Sequence, residues 1–141
     1  MSCVSFLSPQ QRAALAASSA DGAPLSSFAS PPVTPGKLAR IRALSSSDSA
    51  RIRESAALSY HAPADVLTAL ATDPEPMVRR GVARNHATPP AVLAALARDA
   101  DPTVRAWVAA HPAVPTTVMD SLTGDEDPMV SAVLAWSAGW T

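Results

Sequence analysis

Three histidines, two close pairs of carboxylates and a set of arginines are the groups in this chain that could do chemistry. His61, His86 and His111 recur every 25 residues, a regularity that invites a metal site. Zinc needs three or four ligands within about 2 Å of the ion, usually with cysteine or carboxylate among them. Cys3 is the only cysteine and lies far from the histidines in the sequence. The expectation is therefore no metal, with the histidines capping helix ends or facing a partner from turns. The pairs Asp99/Asp101 and Asp125/Asp127 have a spacing that could serve acid–base work, but they lead into Pro102 and Pro128. Aspartate followed by proline is a helix-start signal, so capping accounts for them. The chain contains no G-x-S-x-G, phosphate loop, dinucleotide fingerprint or H-E-x-x-H. The expectation is a protein that is not an enzyme and needs no cofactor.

The arginines divide into two groups. Arg53, Arg79 and Arg105 are each 26 apart and share that period with Asp73 and Asp99. A guanidinium fork suits bridging a carboxylate and helix-end carbonyls, so this ladder is expected to be structural. Arg40, Arg42, Arg51, Arg80 and Arg84 fall outside that register and have no repeat-wide acidic counterpart. They are the residues a nucleic acid would use. Residues 106–141 hold no Lys or Arg but contain Asp120, Asp125, Glu126 and Asp127, so the chain is polar from end to end. Such polarity suits head-to-tail contact or an oriented charged partner. Trp107, beside Val104 and Val108, is expected to fill the core or its edge. Trp136 and Trp140, four apart near the end, are expected either to cap the core or to anchor a partner.

These groups must be positioned by a repeated element. Ile52, Val78, Val104 and Val130 share the 26-residue period, as do Pro76, Pro102 and Pro128, Pro63, Pro89 and Pro115, and Leu70, Leu96 and Leu122. A fixed period of this size marks stacked supersecondary units. In residues 73–98, Asp73 and Pro76 open one helix whose Val78 and Val82 lie on one face. Thr88 and Pro89 open a second, with Val92, Leu93 and Leu96 as its buried stripe. Each helix is too short to persist alone in water and must bury its stripe against the next unit. The expected organisation is an N-terminal helix over 1–20, opened by Ser8-Pro9-Gln10-Gln11. A Ser- and Pro-rich linker or loop over 21–35 follows, then a capping half-repeat over 36–46 with Leu38, Ile41 and Leu44. Repeats fill 47–141, the last one cut short.

The pattern D-x-x-P-x-V-R-x-x-V-A-x-N-x-x-T-P-x-x-x-L-x-x-L-A over 73–98, with looser copies on either side, resembles the leucine-rich repeat variant family. The portion around Asp73, Val78 and Arg79 also resembles HEAT repeats. The resemblance implies an all-α, right-handed solenoid of about 3.5 repeats that alternates an α-helix with a 3₁₀ helix. One family member carries an N-terminal iron–sulfur module, for which Cys3 alone supplies no ligand set. HEAT-like repeats also build DNA-glycosylase folds, which are larger and need a basic groove rich in aromatics.

The resulting expectation is a non-catalytic scaffold or adaptor that binds another protein through Arg80, Arg84, His86, His111, Trp136 and Trp140. Binding of nucleic acid through Arg40, Arg42, Arg51, Arg80 and Arg84 is the second reading, and self-association through the solenoid ends a third. The formal charge of −1 supplies no global field toward nucleic acid or membrane. No apolar stretch is long enough to span a bilayer and no secretory leader is evident, which points to a cytoplasmic protein. Lys37 is the only lysine among 11 basic residues, a bias that suggests a GC-rich, bacterial coding sequence.

Overall fold

The computed structural model describes residues 8–11, 13 and 32–139. The chain divides into two units, Met1–Pro32 and Val33–Thr141. In the first, residues 9–11 are helical, and Ser8 and Gln11 form a reciprocal cap. The Ser8 amide donates to Gln11 Oε1 at 2.8 Å and the Gln11 amide to Ser8 Oγ at 3.2 Å. The remainder of the expected N-terminal helix, and most of the expected linker, lie outside the described residues.

The second unit is an α-solenoid, and its described residues contain helices and no strand. Helix α1 spans Pro35–Ser45, α2 Ala50–Ala57, α3 Ala64–Leu70 and α4 Pro76–Arg84. Helix α5 spans Pro90–Leu96, α6 Pro102–Ala109, α7 Thr116–Leu122 and α8 Pro128–Ala138. The first helices of successive repeats, α2, α4, α6 and α8, stack side by side in one row, while α1 packs along α2 and touches α3. Proline starts α4, α6 and α8 because its missing N–H is one the first turn cannot use. Asp101 and Asp127 cap α6 and α8 by accepting from the amides of Thr103 at 2.7 Å and Met129 at 2.8 Å. Thr34 does the same for α1, taking the Lys37 amide at 3.2 Å.

Helices α3, α5 and α7 are seven-residue α-helices, not the 3₁₀ helices that the family resemblance implies. The amides of Leu67, Leu93 and Met119 each reach back four residues, to Pro63, Pro89 and Pro115, at 3.1, 3.1 and 3.0 Å. That ladder brings Val92, Leu93 and Leu96 onto one inward face. A tighter helix would splay them. Thr88 does not cap α5, whose N-cap is Pro89. Its buried hydroxyl instead donates to the Val82 carbonyl at 2.6 Å, tying the end of α4 to the start of α5.

One core runs through the stack. Leu67, Val78, Val82, Leu93, Val104, Val108, Leu122 and Val130 are its largest fully buried side chains. Among the described residues no buried side-chain polar atom lacks a hydrogen-bond partner. A core made from repeated thin slices is therefore also a fully satisfied one.

Candidate partner-binding face

Two sets of polar side chains fix the stack. The first is the arginine ladder. Arg79 Nε and Nη2 donate to the Asp99 carboxylate at 2.7 and 3.0 Å, while Nη1 donates to the Asp73 and Pro74 carbonyls at 2.8 and 3.2 Å. Each guanidinium thus joins the start of its own first helix to the aspartate of the next repeat. Arg53 repeats the geometry onto Asp73 at 2.7 Å, and Arg105 onto Asp125 at 2.7 Å. Each aspartate also takes the amide two residues on, from Glu75 at 3.0 Å, Asp101 at 2.9 Å and Asp127 at 2.9 Å.

These contacts hold all three carboxyls below the usual carboxylate range. For Asp73 and Asp125 the bond from the arginine is the largest influence. At Asp99 burial pushes upward most strongly, and Arg79, the Asp101 amide and Arg105 together outweigh it. In the last repeat Ser131 replaces the arginine, and its hydroxyl keeps only the bond to a backbone carbonyl, that of Asp125, at 3.2 Å. The ladder is structural, as its shared period with the aspartates implied.

The second set was not legible as a set. Asn85 and His111 occupy the same position of successive repeats, and both are buried. Asn85 Nδ2 donates to the Ala57 and Ser59 carbonyls of the preceding repeat at 2.6 and 2.9 Å, and its Oδ1 accepts from the Ala87 amide at 2.9 Å. His111 copies this. Its Nδ1 accepts from the Ala113 amide at 3.1 Å, so Nε2 carries the hydrogen and bonds the Asn85 carbonyl at 2.9 Å. His111 was expected to contact a partner. At 4% exposure, with both ring nitrogens engaged, it is instead an internal strut.

The histidines do not converge. His86 is exposed and stacks on Tyr60 with ring centroids 4.4 Å apart, and His61 meets the edge of the same tyrosine at 4.9 Å. Of the other expected cations, Arg42 is paired with Asp65 at 3.2 Å on the surface, which supplies the acidic counterpart the sequence did not reveal. Arg40 and Lys37 border a cavity of about 390 Å³ beside Tyr60 and His61, and Arg51 is exposed on α2. Lys37, Arg40 and Arg42 lie on α1, Arg51 on α2, and Arg80 and Arg84 on α4.

What the structure does bring together lies on the outward face of the first helices, near the C-terminal end of the row. Of its two expected placements, Trp107 takes the edge of the core and not its interior. It is 39% exposed, and the Arg84 guanidinium carbon sits 4.8 Å from its ring centroid. At the equivalent position one repeat earlier, a Cβ added to Gly81 would meet the Cβ of Ala57 at 3.1 Å, so the seam between α2 and α4 is tight there. Trp107, Met129, Val133 and Trp136 line a groove of about 470 Å³ between α6 and α8. Trp136 is 60% exposed and Met129 43%. Trp140 lies outside the described residues. Arg84, over the Trp107 ring that forms part of the wall, sets one cation beside this apolar groove, and Arg80 precedes it by one turn on α4. Met129 and Val133 were not singled out from the sequence. The signal was present, because outward positions that read Arg51 and Ser55 in the first repeat become Met129 and Val133 in the last.

A stack of short paired helices, clipped by polar ladders and presenting one variable face, defines a helical repeat protein. Residues 77–138 match the model of the Leucine Rich Repeat Variant domain. No curated protein and no solved structure matches the chain.

Proposed function

We propose that this chain is a non-catalytic protein-interaction scaffold whose binding face is the outward surface of α4, α6 and α8. The observation that carries this reading is the groove between Trp107, Met129, Val133 and Trp136, built from large apolar side chains where the first repeat has Arg51 and Ser55. Exposed tryptophans beside arginine are the residue types that dominate binding energy at protein interfaces. The core is complete without them. Nucleic-acid binding is less well supported, since Arg42 is paired with Asp65 and the formal charge of −1 supplies no global attraction. Among the described residues no helix is long and apolar enough to cross a membrane. This agrees with a scaffold working in the cytoplasm.

The test is affinity capture from the source cells with wild-type chain and with a Trp107→Ser, Trp136→Ser variant. A protein held by the wild type and lost by the variant, at unchanged helix content, supports the reading. Equal capture by both removes this face from consideration. Binding that collapses as salt is raised and is displaced by oligonucleotide would favour nucleic acid instead.

A further inference from the structure

The chemistry of this face narrows the class of partner. Resting on the binding face proposed above, we infer that the occupant is a short acidic segment of another polypeptide. One of its carboxylates is held by Arg84, and a neighbouring apolar side chain is seated between α6 and α8.

Arg84 differs from the ladder arginines. Those direct their donors into a carboxylate and backbone carbonyls. Arg84 and Arg80 have no ion-pair partner among the described residues. The Arg84 guanidinium carbon lies over the Trp107 ring, 4.8 Å from its centroid. A guanidinium resting on an aromatic ring is partly held in place before a ligand arrives, so less side-chain freedom is lost when a planar carboxylate meets it.

Charge complementarity points the same way. The groove is lined by Thr103, Ala106, Trp107, Ala110, Met129, Val133 and Trp136, with no acidic side chain among them. A positive edge beside an uncharged apolar slot is complemented by a negative group beside an apolar one. The slot, about 470 Å³, suits one or two large side chains rather than the flank of a domain. An extended nucleic acid would need cations along its path, whereas the groove lining holds none.

Selection from a random dodecapeptide library on the immobilised full chain tests the inference. Asp or Glu next to Leu, Phe, Met or Trp should be enriched. For a selected peptide followed by fluorescence anisotropy, Arg84→Gln should weaken binding about tenfold or more, as loss of a charge-assisted pair does. Arg84→Glu should turn the selection away from acidic peptides. Trp107→Ala should also weaken binding. Met129→Asp serves the same purpose if the tryptophan variant loses helix content. Absence of any enriched peptide, enrichment of basic ones, or an affinity indifferent to Arg84→Gln overturns the acidic-segment inference. In the last case, peptides still lost on Trp107→Ala or Met129→Asp leave the binding face standing, and peptides indifferent to all three variants remove both. A single-stranded oligonucleotide bound by the wild type and lost on Arg84→Gln, or a dimer in sedimentation that Met129→Asp dissolves, overturns it in favour of those occupants.

Discussion

At the scale of single residues, the clip formed by Arg79 is stringent because every part of it has a job. Nε and Nη2 fit the Asp99 carboxylate while Nη1 holds the carbonyls of Asp73 and Pro74. The side chains of Arg79 and Asp99 are only 16% and 7% exposed, so deleting the arginine strands a carboxylate away from water. Arg79→Ala should lower unfolding stability by about 2–4 kcal/mol. Arg79→Lys should recover only a minor part, since an ammonium cannot span both sets of acceptors. Equilibrium unfolding in urea checks both, and equal stability of the lysine variant and the wild type would refute the fork geometry.

The same carboxyls set an acid limit. Asp73, Asp99 and Asp125 are depressed in the folded chain, so folding favours their ionised form. Their stabilisation is fully present above the ordinary carboxylate value of about 3.9 and is lost as pH falls through the lower folded values. The aspartates' contribution to the thermal midpoint, read as the difference between the chain and Asp99→Asn, should hold steady down to about pH 5 and then decline. Asp99→Asn should start lower and decline less steeply.

Among the elements, how much was legible depended on what periodicity can carry. The existence of paired helices, their inward stripes and the arginine–aspartate register all repeat every 26 residues, so they could be read directly. The helix type of α3, α5 and α7 could not, because it turns on whether each amide reaches back three residues or four, which the apolar pattern does not record. Trp107 could be placed only as core or edge for a related reason: one residue from Val108 and three from Val104, it sits at the margin of the apolar stripe, and its exposure of 39% decides for the edge. His111 was misread because its kinship with Asn85 is one of hydrogen-bond geometry rather than residue type. That kinship is testable. Asn85→Ala leaves the Ala57 and Ser59 carbonyls and the Ala87 amide without their partner, and should cost about 1–3 kcal/mol. Asn85→His should cost distinctly less, because the next repeat already performs the task with an imidazole. Urea unfolding of the pair decides it, and a histidine variant no better than alanine would break the equivalence.

For the molecule as a whole, both ladders reach one repeat and no further. Arg79 spans to Asp99, 20 residues on, and His111 to Asn85, 26 residues back. Stability is then a sum of units and nearest-neighbour seams, which is the energetic form of a one-dimensional array. A second copy of residues 73–98 inserted after Arg98 should supply its own Arg, Asp and Asn, and receive matching partners on both sides. The lengthened chain should fold with proportionally more helix by circular dichroism and unfold at higher denaturant than the parent. Failure to fold would show that a contact beyond adjacent repeats has been missed. The positions that clip the stack are also distinct from the outward positions that carry Arg84, Trp107 and Trp136. Substitutions on the proposed binding face can therefore accumulate while the architecture is left untouched, and the architecture can lengthen without altering that face.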